Sequence, residues 1–143
     1  GRRVPNAELL ELPCDIHVLA AREDQLHADN AAGVQARLVA EGANGPTSIE
    51  ADAILAARGI PVLPDILTNA GGVTVSYFEW VQDIGRLFWG REEIRSKLTD
   101  KMDDAFDRVW GISEARGITL RTASLVAGIH EVASALELRG IYP

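Results

Sequence analysis

Disulfide chemistry is closed to this 143-residue chain, because Cys14 is its one cysteine. That usage fits a protein of the reducing cytoplasm. Lysine is nearly missing too: Lys97 and Lys101 stand beside twelve arginines. A lysine-dependent reaction must therefore use one of these two residues or look outside the chain. Among the thirteen glycines no two are separated by a single residue. The G-x-G-x-x-G turn, which brings backbone N–H groups against a pyrophosphate at a helix N-terminus, is absent. The longest stretch without a charged residue runs over 66–78 and contains Thr, Asn and Ser. It is too short and too polar to span a bilayer. Behind Arg2 and Arg3 there is no apolar core, so the N-terminus is not read as a signal peptide. It also lacks an initiating Met, and we expect the chain to be a piece of something longer. Positive charge is in deficit, 14 − 21 = −7. That balance argues against nucleic acid or an anionic membrane as a partner, since both reward Lys/Arg clusters.

What is present suits a folded domain. Hydrophobic residues make up 47% and charged residues 24%, too apolar for disorder and ordinary for a globular protein. The length suits one domain that buries about two-thirds of its unfolded surface. Asn6 can cap a helix over 7–12, ended by Pro13. Residues 15–19 and 37–41 read as strands, with a short helix over 29–35 between them. Thr47 and Glu50 have the spacing of a capping box, and the helix they open carries Ile49, Ala53, Ile54 and Ala57 on one face up to Gly59. Residues 60–63 read as a third strand. Strands and helices alternating with short joints require parallel pairing and right-handed crossovers. The pattern is that of the C-terminal half of a doubly wound (Rossmann-like) α/β sheet. Long helices follow over 70–83, 91–115 and 121–138, the last with Ala123, Val126, Ala127, Ala133 and Leu136 at helical spacing.

Open parallel sheets bind ligands beyond the carboxyl ends of their strands. Three segments leave those ends: Ala20-Ala21, residues 42–45 and residues 64–72. Asn and Gly also simply make turns, so a ligand rim and a set of plain turns both fit these loops. Asn69, Val73, Ser76 and Trp80 are spaced 4, 3 and 4, which places them on one face of a helix. Near the positive end of that helix the face would suit a ligand with a carboxylate and an aliphatic stem. The alternative is that Asn69 caps the helix, Val73 and Trp80 are core, and Ser76 bonds the preceding turn. His17, His27 and His130 have no metal-ligand spacing and read as structural or solvated. Asp100, Asp103, Asp104 and Asp107 form a solvated helix stripe, and Cys14 reads as a small buried hydrophobe. Tyr77, Phe78, Trp80, Phe88 and Trp89 crowd into thirteen residues, partly as core and partly as a surface for another domain or subunit.

The stretches EGANGPT at 41–47 and PDILTNAGGVTVSYFEW at 64–80 make the sequence resemble the C-terminal part of hexameric glutamate dehydrogenases, within the glutamate/leucine/phenylalanine/valine dehydrogenase family. The likeness covers nearly the whole chain. It implies reversible oxidative deamination of L-glutamate to 2-oxoglutarate and ammonia, with NAD or NADP as hydride acceptor, in a cytoplasmic homohexamer. It places Ala20 and Ala21 along the adenosine side of the cofactor, Asn44 and Asn69 near the nicotinamide and its ribose, Val73 against the substrate's methylenes, and Ser76 on its side-chain carboxylate. Residues 1–83 would complete the dinucleotide-binding domain and helices over 91–143 would close it. The resemblance assigns the catalytic lysine and aspartate, and the Gly-rich turn, to an upstream region, so no catalytic residue and no metal ligand is assigned here and the piece alone is expected to be inactive. Leu19 departs from the family's usual proline and Asp24 from its common asparagine. Rival readings are another amino-acid dehydrogenase of the same family and a non-catalytic ligand-binding or assembly module.

Overall fold

The computed structural model describes residues 3–140. Helix α1 (Asn6–Leu10) leads into β1 (Cys14–Leu19), followed by a 3₁₀ turn at Ala31–Gly33, β2 (Ala36–Glu41), α2 (Ile49–Ala57) and β3 (Val62–Leu63). The remaining elements are helical: α3 (Asp65–Thr68), α4 (Gly71–Gly85), α5 (Arg91–Arg116) and α6 (Leu120–Arg139). The strands lie in the order β1-β2-β3 and every pairing is parallel, with Leu19 beside Glu41 and Ala40 beside Leu63. The alternating apolar pattern of the strands thus yields a small parallel sheet whose three carboxyl ends share one edge.

Local structure corrects several expectations. In place of a helix over 29–35 there is only the 3₁₀ turn. The Asn30 side chain accepts from His27 N–H at 2.9 Å and donates to the Gln25 carbonyl at 2.9 Å, a local alternative to helical bonding. Asn6 does not cap α1, since Pro5 holds that position and the Asn6 amide donates to Gln25 Oε1. The cap of α2 is Ser48, whose Oγ accepts from Ala51 N–H at 3.2 Å. Thr47, one residue earlier, is tied as a parallel bridge to Leu26, and its buried hydroxyl has no partner. The buried face of α2 is correspondingly Ala51 and Leu55 rather than Ile49, which is 87% exposed. Arg58 continues that face one turn on and donates to the carbonyls of Ala31 and Val34 at 2.8 and 2.7 Å. The third strand covers only Val62–Leu63, and Cys14 is exposed.

Two apolar clusters hold these elements. Leu26, Val34, Val39, Ala51 and Leu55 are fully buried between the sheet and α2. Leu67, Val109, Leu120, Ala123 and Ala127 form the second cluster, where α5 and α6 pack after a left-handed turn at Gly117 (φ 61°). Only the first half of α6 is used in this way. Leu125, Ile129, Val132 and Leu136 line an open apolar groove with Ile66, and Leu136 is 62% exposed. On β1, Ile16 and Val18 are exposed as well.

His17 in β1 is half-buried, its Nδ1 has no partner, and desolvation lowers its pKa below 6.5. A depressed folded-state value means that the unfolded chain binds more protons below about pH 6.5. Stability is therefore expected to fall as pH drops from about 6.5 through the depressed value. Melting temperatures at pH 7.5 and 5.5 check this. The drop should shrink in His17→Val, and an equal drop would remove His17 as its source.

Candidate functional site at the carboxyl edge of the sheet

Backbone hydrogen bonds stitch together the loops that follow β1 and β2. Ala43 N–H donates to the Leu19 carbonyl at 2.8 Å, and Asp24 N–H donates to the Gly45 carbonyl at 3.0 Å. Gly42 passes so close to β1 that a Cβ would lie 3.1 Å from Ala20 Cβ. Gly45 has φ 54°, a left-handed conformation with little cost only for glycine. Asp24 has φ 51°, a conformation that a short polar side chain tolerates better than most.

Across this edge Asn69 Nδ2 donates to Asn44 Oδ1 at 2.7 Å, joining residues 25 apart in sequence. Asn69 is not on the α4 face expected from spacing. It sits at the carboxyl end of the single turn α3, while α4 starts at Gly71 and is capped by Ala70 without a side-chain bond. Asn69 is thus neither a face residue of α4 nor its cap, and its amide turns to the neighbouring loop. Val73, Ser76 and Trp80 do lie on α4 at helical spacing, and all three are exposed. Val73 at 70% and Trp80 at 58% exposure are not core within this chain. The i−4 hydroxyl bond considered for Ser76 is made by Thr74, whose Oγ1 donates to the Ala70 carbonyl at 2.8 Å. The Ser76 hydroxyl, exposed on α4, is available to a ligand. Ala20 and Ala21 are exposed at the end of β1, small enough to admit a flat group against the backbone.

Sequence reasoning missed a charge cluster beneath this edge. Glu41, at the end of β2, is fully buried. Arg121, in the first turn of α6, meets it with a two-pronged contact, Nη2 to Oε1 at 2.7 Å and Nη1 to Oε2 at 3.1 Å. Arg121 Nε lies 3.1 Å from Asp52 Oδ1. Burial by itself would lower the guanidinium pKa, but the hydrogen bonds and negative charges of Glu41 and Asp52 outweigh it and raise the value. A signal was available: an arginine in the first turn of a helix opposes the macrodipole and needs carboxylates nearby. The aromatic cluster is split, with Phe78 buried against Trp89 while Phe88 is almost wholly exposed. Both lysines lie on α5. Lys97 pairs with Glu93 and sits over the Trp89 ring, and Lys101 lines a polar groove with Asp104, Arg108 and Glu131. Among the described residues no group of three or more His, Cys, Asp or Glu has a metal-binding arrangement, and no helix is long and apolar enough to cross a membrane.

Comparison with known proteins gives a consistent picture. The profile of the Glutamate/Leucine/Phenylalanine/Valine dehydrogenase family matches residues 1–140. A glutamate dehydrogenase of Thermotoga maritima is 53% identical over 143 residues, which is 100% of this chain and 34% of that protein. An NAD-specific glutamate dehydrogenase of Staphylococcus aureus is 48% identical over 137 residues, 96% of this chain and 33% of its own length. Among solved structures, the hetero-hexameric glutamate dehydrogenase of Thermus thermophilus, in a leucine-bound form, superposes with a TM-score of 0.92 at 38% identity. That match covers 98% of this chain and 34% of the other. The chain therefore spans about a third of the length of the relatives it matches.

Proposed function

The chain belongs to the glutamate/leucine/phenylalanine/valine dehydrogenase family, and from that premise we propose that it forms part of a glutamate dehydrogenase. The full-length protein would catalyse the reversible, NAD- or NADP-dependent oxidative deamination of L-glutamate to 2-oxoglutarate and ammonia. In this reading the parallel sheet is half of a doubly wound sheet, and α5 and α6 close the dinucleotide-binding domain. The observation that carries it is the Asn69–Asn44 hydrogen bond across the carboxyl edge, with the Ser76 hydroxyl exposed on the next helix. Parallel α/β folds use this edge for ligands.

The residues present fit a nicotinamide dinucleotide. Two exposed or half-buried amides retain free donors and acceptors for ribose hydroxyls and a carboxamide, and small residues at 20, 21 and 42 admit a close approach. Asn44 and Asn69 would hold the nicotinamide end, with Ala20 and Ala21 beside the adenosine. When bound, the cofactor would supply the hydride acceptor. Val73 would lie against the substrate's methylenes and Ser76 would donate to its side-chain carboxylate. The rest of the full-length protein would provide the catalytic lysine and aspartate, the phosphate turn and cover for the exposed apolar faces of β1 and α6. We place the assembled protein in the cytoplasm as a homohexamer.

The test is glutamate-dependent reduction of NAD or NADP by the purified full-length protein, with leucine as competitor. Turnover of leucine in preference to glutamate would transfer the protein to another branch of the family, and no turnover of any amino acid would favour a binding module. The 143 residues alone are expected to give no rate above background, because in this reading they orient ligands while the catalytic lysine and aspartate come from the rest of the full-length protein.

A further inference from the structure

The buried charge cluster and the asparagine pair meet at one residue, Asp65. Its carboxylate is split between two backbone donors: Oδ2 accepts from Gly45 N–H at 2.8 Å and Oδ1 from Ile66 N–H at 2.7 Å. Its carbonyl accepts from Asn69 N–H at 3.0 Å. Asp65 thus holds the neighbour of Asn44 with its side chain and Asn69 with its main chain. Its own N–H donates to Glu41 Oε2 at 2.9 Å, the same oxygen that Arg121 Nη1 reaches at 3.1 Å. A rigid path therefore runs from the first turn of α6, through the end of β2, to both sides of the Asn44–Asn69 hydrogen bond.

Core packing alone does not require this arrangement. A satisfied carboxylate at Glu41 needs the guanidinium, and Asp65 Oδ1 itself lies 4.0 Å from Arg121 Nη1, but nothing in those charge contacts requires Asp65 Oδ2 to take the Gly45 N–H. The α3 turn is only four residues long, so fixing its first residue fixes the position of Asn69 at its far end. We propose that Asp65 and Arg121 are positioning residues that set the separation of the Asn44 and Asn69 amides and thereby the affinity for the nicotinamide cofactor. The inference rests on the role given above to that asparagine pair.

Asp65→Asn in the full-length enzyme tests it. An asparagine has one acceptor oxygen in place of two, so either the Gly45 or the Ile66 donor is lost while Glu41 and Arg121 stay paired. The expected result is a rise of about tenfold in KM for the cofactor, roughly the loss of one hydrogen bond in this setting, with KM for glutamate within about twofold of wild type. A merely structural role would lower the melting temperature and leave the cofactor KM where it was, and that result would overturn the proposal. If Asp65→Asn does not fold, Arg121→Lys carries the test: it keeps the charge but loses the two-pronged contact, and an unchanged cofactor KM there is equally fatal. Asn69→Ala separates the two levels. If it raises the cofactor KM and neither positioning variant does, only the positioning inference fails; if it leaves the KM unchanged, the assignment of the asparagine pair fails first.

Discussion

Arg121→Ala is expected to destabilise the protein by about 3–5 kcal/mol, the usual cost of removing one partner from a buried ion pair. Glu41 is fully buried, and without the guanidinium its carboxylate keeps only the Asp65 N–H among the contacts described. Total stabilities of single domains are about 5–15 kcal/mol, so a loss of this size removes a large share. In a chain of this length it lowers the melting temperature by roughly 10–17 °C. Urea denaturation of wild type and variant checks the figure. A shift below about 1 kcal/mol would mean that water or a rearranged side chain replaces Arg121, and the cluster would lose its structural standing. The pair is also expected to hold from neutral to strongly alkaline pH. A guanidinium with a raised pKa keeps its charge until pH passes that value, so its contribution is lost only as pH rises through it.

Ser76→Ala is expected to reduce kcat/KM for glutamate by about 10- to 100-fold in the full-length enzyme. That range corresponds to about 1.5–3 kcal/mol for a hydrogen bond to a charged group. For norvaline, which has no side-chain carboxylate, the variant should perform as well as wild type or better, because a hydroxyl facing an aliphatic chain goes unpaired. Exposure of the Ser76 side chain is what leaves it free for this contact. Equal losses on both substrates would remove Ser76 from the substrate pocket and leave the selectivity to groups elsewhere in the protein.

The parts of the fold that were readable along the chain are those set by short-range periodicity. β1 and β2 fall within a residue of their expected bounds, and α5 and α6 within one residue at each end, because a left-handed Gly117 separates two strongly helical runs. Capping was read less well. Thr47 and Ser48 are both competent caps, and only the pairing of Thr47 with Leu26 decides between them. Burial of α2 slipped for a related reason: Ile49 is apolar but stands at the open end of the helix, so the packed stripe starts at Ala51.

The sequence by itself determined the α/β alternation, the parallel sense of the strands and hence the fact that the polar loops leave from one edge. Each of these follows from hydrophobic period and connection length, which are local properties of the chain. Only tertiary structure decided that Asn69 leaves the α4 face to meet Asn44, that Asp65 holds both sides of that contact, and that Arg121 reaches back 80 residues to Glu41. Such pairs depend on where distant segments are brought by packing, and no spacing along the chain encodes the direction in which a side chain then points.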